Sequence, residues 1–214
     1  VYWNALAWSL LDDRTAGDYA KNVLVAYASF PTWNHPWMKR NGRPFYLLMG
    51  DMAMYFAIGY DLVYGLMNES QRAGIRGAFI RNVIGPVHSG YFEANMITTH
   101  TSNWIAAITG GSILCQAAIH GDGPDTENPE PFLTGAVLKN FALINHAVGG
   151  DGGYGEGYNY YHYSSQSWSK SLPALESVFG VDLSARLNGA YDELVWAGRP
   201  TERKYSISAT HAGC

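Results

Sequence analysis

Phe45 to Leu62 reads FYLLMGDMAMYFAIGYDL, and much of the chain repeats its pattern. Its large apolar side chains recur every three or four residues, which is the spacing that gathers them on one face of an α-helix. The residues at this spacing are Phe45, Leu48, Met52, Tyr55, Ile58 and Leu62. The stretch therefore predicts a long helix.

The same spacing recurs on both sides of this stretch, and turn signals separate the segments. Further helices are predicted over residues 2–11, 14–27, 68–86, 102–118, 132–147, 168–178 and 183–196. Asn68 is expected to cap its helix with Gln71 in the capping-box position, and Thr101 or Ser102 is expected to cap the helix that follows. The helix that begins at Asn68 is expected to stop near Pro86.

Consecutive helices joined by short connections form antiparallel hairpins. Six or more of them favour a curved array or toroid over a four-helix bundle, and no fixed-length repeat indicates a regular solenoid. We expect an all-α fold in which antiparallel helical hairpins form an incomplete (α/α) toroid over residues 1–203. Residues 204–214 are interpreted as the start of a β segment or a truncated tail. Both ends look cut, so the chain is expected to be a piece of a longer protein.

The composition narrows the function classes. With 214 residues, 47% hydrophobic and 15% charged, the chain is predicted to be globular. A net charge of −4 without a basic run gives no footprint for nucleic-acid binding. No apolar run approaches the ~18 residues of a membrane span.

The aromatic content is high. Fifteen tyrosines and seven tryptophans suit carbohydrate or another ring-bearing ligand, or equally an aromatic-rich core. The two cysteines do not make a disulfide framework, and Cys115 is expected to be buried.

Residues 151–163, DGGYGEGYNYYHY, carry most of the functional information and are called the glycine–tyrosine segment below. Its glycines permit a close approach of the main chain to a ligand. Its phenols, histidine and carboxylate can stack on sugar rings and exchange protons. We interpret the segment as a loop forming the floor of an active site, with a packed aromatic loop as the alternative.

A second polar segment, residues 98–104, precedes the helix predicted from Ser102 or Asn103. His100 and Asn103 would lie near the N-terminus of that helix, where free backbone N–H groups and the helix dipole favour a carboxylate. The alternative is simple capping beside a loop histidine.

Together the two segments supply the groups that a polysaccharide lyase needs. Such an enzyme removes the proton alpha to a uronate carboxylate and expels the sugar oxygen from the next carbon. An amide such as Asn103 can neutralise the carboxylate. A tyrosine or histidine, here Tyr160 or His100, can take the proton and return one to the leaving oxygen. This chemistry requires neither a metal nor another cofactor, and none is predicted.

The sequence resembles the heparinase II/III-like polysaccharide lyases and their alginate-lyase relatives over roughly residues 6–191. The resemblance rests on three matches to the family pattern, and these occur in the family's order. The matching stretches are Tyr60–Tyr64 followed by Asn68–Arg72, Ser102–Trp104 leading to Gly110 and Gly111, and the loop motif formed by Asp151–Tyr154, Glu156–Gly157 and Tyr160–Tyr163.

The resemblance implies an α/α toroid followed by a β-sandwich domain of the same protein, which would be missing here. It also implies β-elimination of an anionic, uronate-containing polysaccharide such as alginate or a glycosaminoglycan, and a secreted or periplasmic location. Tyr160 matches the family's catalytic tyrosine, as base, acid or both, and Asn103 its carboxylate-neutralising residue. Family members often have a histidine directly after that asparagine, where this chain has Trp104, so His100 is the expected substitute.

Other side chains are candidates for contacting the substrate, and each has a structural alternative. Glu156 is expected to brace its loop through backbone N–H groups rather than act as an acid. The loop over residues 33–43 is expected either to line the mouth of a cleft or to form a hydrophobic plug. The substrate-binding candidates are Trp37, Arg43, Trp104, Glu156, Tyr158, His162 and Tyr163.

Two other functions stay open at this point. A glycoside hydrolase on a similar toroid would need two facing carboxylates, and Asp151 and Glu156 are the obvious pair. A non-catalytic carbohydrate-binding fragment is the other reading. Asp122, Asp125 and Glu127 lack the spacing of an EF-hand and are interpreted as a solvated acidic loop.

Overall fold

The computed structural model describes residues 1–93, 102–123, 130–147 and 154–180. Within these ranges the chain is helical and contains no strand, which confirms the predicted all-α class. The toroid arrangement stays a prediction. The expected helix over 183–196 and the β segment or tail at 204–214 lie outside the described residues.

The helices follow the apolar spacing of the sequence closely. A 3₁₀ turn at Tyr64–Leu66 connects two of them. The α-helices are α1 (Tyr2–Leu11), α2 (Arg14–Ala28), α3 (Pro36–Arg40), α4 (Leu47–Leu62), α5 (Glu69–Phe79), α6 (Gly85–Val87), α7 (Asn103–Ile119), α8 (Glu130–Ala147) and α9 (Tyr158–Phe179).

Local capping explains where two of these helices begin. Asp13 caps α2, because its carboxylate accepts a hydrogen bond of 3.0 Å from the Ala16 N–H. At α5, the Asn68 side chain accepts from the Gln71 N–H and the Gln71 side chain accepts from the Asn68 N–H. The predicted capping box is therefore confirmed.

The prediction that the helix after Asn68 stops near Pro86 is wrong. Helical turns continue to Glu93, as a π-helical turn at Ile80–Ile84, the short α6, and a second π-helical turn at His88–Glu93. The Gly85 N–H donates to the carbonyl of Ile80, five residues back. Pro86 has no N–H that could donate to the preceding turn. The helix therefore widens into π-helical turns around Pro86 and does not end there.

The predicted start of the last described helix is also wrong. Helix α9 begins at Tyr158 rather than Trp168, so the second half of the glycine–tyrosine segment is helical and not a loop. Among the described residues of the segment, those from Tyr154 to Gly157 precede the helix, and Gly157 has a φ of 86°. Tyr161 is 6% exposed and packs with its ring centroid 6.4 Å from that of Trp168, so it belongs to the core.

Helix α7 is the centre of the fold. It packs against α4, α8 and α9, and only Trp104, Ala117 and Ala118 of its residues are not buried. One apolar cluster joins α1, α2, α4 and α5 to α7, and a second joins α7 to α8 and α9. The contact between α4 and α7 depends on glycine, because a Cβ on Gly50 would lie 2.6 Å from the backbone carbonyl of Ala107.

Helices α4 and α7 run in the same direction. The Tyr46 ring, just before α4, lies 5.9 Å from the Trp104 ring in the first turn of α7. At their other ends, the hydroxyl of Tyr60 in α4 donates to the carboxylate of Asp122, just after α7. The two helices therefore have adjacent N-termini and adjacent C-termini.

Helix α9 runs parallel to both. Glu156, two residues before α9, contacts Asn103 at the start of α7, and the ring of Phe179, the last residue of α9, lies 4.8 Å from that of His120 after α7. The N-termini of α4, α7 and α9 thus meet at one end of the stack, which we call the amino end. We call the opposite end the carboxyl end.

Candidate active site at the amino end

The glycine–tyrosine segment caps helix α7. The Asn103 N–H donates a hydrogen bond of 2.5 Å to the Glu156 carboxylate. Ser102 occupies the N-cap position but its side chain makes no capping bond, so the prediction that Ser102 caps this helix is wrong. Thr101, the other predicted cap, lies outside the described residues. The carboxylate that satisfies the helix start therefore comes from a distant part of the chain.

Glu156 is held in turn by Tyr154. The Tyr154 hydroxyl donates to the same carboxylate oxygen over 3.3 Å and shares a hydrogen bond of 3.0 Å with the Ser164 hydroxyl in α9. Burial raises the pKa of Tyr154 to about 12, and the Glu156 carboxylate adds to that rise. Glu156 thus braces a backbone N–H group as expected, although that group belongs to α7 and not to its own segment.

Asn103 lies at the floor of the amino end. It is the first residue of α7 and is only 4% exposed. The N-termini of three parallel helices converge around it, and their backbone dipoles all direct a partial positive charge toward this end. This arrangement favours a carboxylate, and Glu156 shows that one is accommodated there.

Aromatic rings form one side of the amino end. The Trp104 ring packs edge-on to that of Tyr46, and the Tyr46 ring lies 5.6 Å from the His35 ring. Trp104 is partly buried against the first apolar cluster. Trp104, predicted to bind substrate, therefore has a packing role in the structure, and its substrate contact stays a prediction.

Two exposed phenols lie at the start of α9. Tyr158 is 53% exposed and Tyr160 is 47% exposed, both in the first turn of this helix. The neighbouring His162 is exposed as well, and its Nε2 lies 3.1 Å from the side-chain amide of Gln166 one turn further along. Tyr160 is thus accessible to a large substrate at the end of the stack where Asn103 lies.

Tyr163 has a definite partner that the sequence did not predict. Its hydroxyl donates to the carboxylate of Asp51, one turn into α4. Burial raises the pKa of Tyr163, and the bond to Asp51 raises it further. Asp51 could have been noticed because it is the one charged residue among the apolar residues from Phe45 to Tyr60. Its partner on α9 could not.

The loop before α4 has a packed part, which fits the predicted plug, and an exposed part, whose place at the mouth of a cleft stays a prediction. Trp33 packs at ring distances of 5.5 Å from Phe56 and 6.0 Å from Phe79, and is the hydrophobic plug. Trp37 is 53% exposed and Arg43 is exposed, with the Arg43 carbonyl accepting a bond of 2.8 Å from the Asn34 side chain. Trp37 and Arg43 are therefore free to contact a ligand.

Several predicted residues lie outside the described ranges, among them His100, Asp151, Asp125 and Glu127. Asp122 is described and is not solvated as predicted, because it accepts from Tyr60 and Tyr64 and is paired with Arg76. Cys115 is buried as predicted, and burial raises the pKa of its thiol.

Two general features complete the description of the site. In the described ranges no three histidine, cysteine or acidic side chains come together as metal ligands would. None of the helices described here is both long and apolar enough to cross a membrane.

No protein-family model matches the chain, and no curated protein matches it. The resemblance to heparinase II/III-like lyases thus depends on the sequence motifs alone.

Proposed function

We propose that this chain is a polysaccharide lyase that cleaves a uronate-containing polysaccharide by β-elimination. The observation that carries the proposal is the hydrogen bond between the Asn103 N–H and Glu156. It joins the two segments from which the catalytic groups were predicted, at the end of the stack where three helix N-termini meet.

In the proposed reaction, the substrate carboxylate lies near the start of α7. The side-chain amide of Asn103 and the helix dipoles stabilise the negative charge on this carboxylate. The neighbouring C–H thereby becomes acidic enough to be removed. Tyr160 acts as the base and accepts that proton. The electron pair of the C–H bond forms the new C=C bond, and the bond from the next carbon to the glycosidic oxygen breaks.

The leaving oxygen then needs a proton, and the Tyr160 hydroxyl can return the one that it has just received. His100 is proposed as a helper in this transfer on the basis of the resemblance. Trp37, Arg43, Tyr158 and His162 are proposed substrate contacts at the rim, since each has exposed surface in the structure. The proposed home of such an enzyme is secreted or periplasmic.

The glycoside hydrolase gains no support from the described contacts. Its two carboxylates would be Asp151, which lies outside the described residues, and Glu156. The Glu156 carboxylate already accepts hydrogen bonds from the Asn103 N–H and the Tyr154 hydroxyl. It is therefore better suited to fixing the start of α7 than to giving up a proton.

The test is ultraviolet absorbance of the conjugated, unsaturated uronate while the protein is incubated with alginate, heparan sulfate, chondroitin sulfate and hyaluronan. We expect absorbance to rise with at least one of the four. Tyr160→Phe should lower the rate at least about a hundredfold, the usual contribution of a general acid–base group. Tyr19→Phe, which alters an equally exposed tyrosine on α2, is the matched control.

The outcomes separate the alternatives. Unchanged activity in Tyr160→Phe would exclude Tyr160 as the base. New reducing ends without absorbance would indicate a hydrolase. A flat trace with all four polymers and no new reducing ends, from folded protein, would contradict the proposed lyase and leave a carbohydrate-binding role to be tested by affinity.

A further inference from the structure

A second group of aromatic and charged side chains lies outside the amino end, where α4 and α9 face each other. We call it the α4–α9 surface. All its members except the strongly exposed Trp3 are partly exposed. It consists of Tyr2 and Trp3 of α1, Asp51 and Tyr55 of α4, and Tyr163 and Lys170 of α9.

Contacts connect these side chains into one continuous strip. The Trp3 and Tyr2 rings are 5.1 Å apart, and the Tyr2 and Tyr55 rings are 5.3 Å apart. The Lys170 ammonium lies 5.6 Å from the centre of the Tyr55 ring. The bond from Tyr163 to Asp51 then completes the strip, one turn further toward the amino end.

Lys170 is the unusual member of the strip. Its ammonium donates a bond of 2.7 Å to the carbonyl of Gln166, and no carboxylate among the described residues forms an ion pair with it. Burial lowers the pKa of Lys170, and the more distant Asp51 only partly opposes that effect. A partly buried ammonium without a paired carboxylate is stabilised by any anion that comes to it.

Trp3 is the second unusual member. Its indole is 78% exposed although it is one of the largest apolar side chains of the protein. Exposed apolar surface rimmed by polar groups is typical of a binding site. Flat rings beside hydroxyl and carboxylate acceptors and one cation match the chemistry of an acidic sugar, which has an apolar ring face, several hydroxyls and one negative group.

We propose that the α4–α9 surface binds an acidic oligosaccharide. Lys170 pairs with a carboxylate or sulfate of the sugar, and Asp51 accepts hydrogen bonds from its hydroxyls. The rings of Tyr55 and Trp3 stack against its sugar faces. The choice of a uronate-bearing ligand rests on the proposed function, but binding at this surface does not require turnover.

The surface is positioned to extend the amino-end site. Tyr160, Tyr163 and Lys170 are separated by three and seven residues, so they lie on one side of α9. The distance from Tyr160 to Lys170 along the helix is ~15 Å at the usual rise per residue. A chain held at Lys170 can therefore reach Tyr160, and the strip would select polymers that carry a negative group at that distance from the cleaved bond.

The test measures binding by isothermal titration calorimetry in the Tyr160→Phe background, which removes the proposed base. The probes are oligosaccharides of equal length from alginate, heparan sulfate, chondroitin sulfate and hyaluronan, with a neutral cello-oligosaccharide for comparison. We expect at least one acidic probe to bind and the neutral one to bind more weakly. Lys170→Met should weaken acidic binding about tenfold, equivalent to about 1.4 kcal/mol, whereas Lys170→Arg should retain it.

Trp3→Ala should also weaken binding, and it should leave the fold intact because the indole is mostly exposed. Leu10→Ala, which removes an equally exposed side chain from the same helix, is the matched control. The absence of binding to every acidic probe would overturn the proposal, as would unchanged affinity in both Lys170→Met and Trp3→Ala.

These results are distinguishable from a failure of the proposed function. Binding that depends on Lys170 and Trp3, without formation of an unsaturated product by the unaltered protein, would support this inference and contradict the lyase. Product formation with affinity unchanged by both substitutions would support the lyase and overturn the inference.

Discussion

At the carboxyl end of the helix stack, the Asp122 carboxylate accepts hydrogen bonds from the Tyr60 and Tyr64 hydroxyls and is paired with Arg76 at 3.4 Å. At the amino end, Tyr158 and Tyr160 are about half exposed. At the carboxyl end the Tyr60 and Tyr64 hydroxyls are both bonded to one carboxylate and contribute to stability. The amino end combines a phenol of this kind, Tyr154 bonded to Glu156, with the exposed rings of Tyr158 and Tyr160, which the proposed substrate can reach.

The two ends also differ in the partners of their carboxylates. At the carboxyl end Arg76, which is 2% exposed, joins Asp122 to Glu69, the latter at 2.7 Å. At the amino end the Glu156 carboxylate is bonded to a backbone N–H and to Tyr154. We infer that the carboxyl end fixes the packing of α4, α5 and α7.

Removal of Arg76 should have a large effect on stability and none on the amino end. Arg76→Met should lower the free energy of unfolding by about 3 kcal/mol, because the mostly buried Asp122 carboxylate loses its cation. The shift in the midpoint of urea unfolding measures this loss. The proposed affinity of the α4–α9 surface for an acidic oligosaccharide should not change, provided that the measurement is made where the variant is folded.

Arg72 supplies the control for that substitution. It is also paired with Glu69, at 3.3 Å, but its side chain is more exposed and lies over the Tyr64 ring. Arg72→Met should cost about 1 kcal/mol or less, as expected for a pair near the surface. Equal losses in the two variants would contradict the idea that burial of the Arg76 and Asp122 pair fixes the carboxyl end.

The second prediction concerns the cap that Glu156 provides to α7. Glu156→Ala should cost about 1 to 2 kcal/mol, because the N-terminal N–H group of a central helix loses its acceptor. Hydrogen exchange at the Asn103 amide should accelerate in this variant, and Glu156→Gln should restore part of the protection.

Asp13→Ala is the matched control, since Asp13 caps α2 from the adjacent residue. It should cost about 1 kcal/mol and leave exchange at Asn103 unchanged. Unchanged exchange at Asn103 in Glu156→Ala would show that this carboxylate does not hold the amino end together. The proposed link between the two motif segments would then lose its main support.

The parts of the fold that depend on local sequence were predictable. Apolar spacing gave the positions of α1, α2, α4, α7 and α8 to within a few residues, and Asn68 with Gln71 specified the start of α5. These signals act within one or two turns of the chain, so a single sequence contains them. The start of α9 was missed because polar residues between Tyr158 and Trp168 obscure its apolar spacing.

The site was less predictable because its contacts join distant residues. The sequence indicates both Asn103 and Glu156 as candidates. Nothing in it indicates that the Glu156 carboxylate caps the helix that begins at Asn103. Asp122 looked like part of a solvated loop, since its partners Tyr60 and Arg76 are far from it in the chain. The packing of the helices determines these pairs, and the local spacing of residues does not predict them.

The last prediction concerns the loss of stability in alkaline solution that is due to one buried phenol at each end. Burial raises the pKa of Tyr60, with Asp122 adding to the rise, and burial likewise raises the pKa of Tyr154 to about 12. In the unfolded chain both phenols ionise near their ordinary pKa of about 10. The stability that depends on the neutral phenols is therefore fully present below about pH 10 and is lost as the pH rises toward the folded-state values.

Urea unfolding at about pH 9 and about pH 11 measures that loss. Tyr60→Phe and Tyr154→Phe should each reduce the fall in unfolding free energy between these two pH values by about 1 kcal/mol, because neither variant has that phenol to ionise. Tyr19→Phe, an exposed tyrosine on α2, should leave the fall as it is in the unaltered protein. If Tyr154→Phe also left it unchanged, Tyr154 would be solvated in solution, and the brace that holds Glu156 against α7 would be looser than the structure describes.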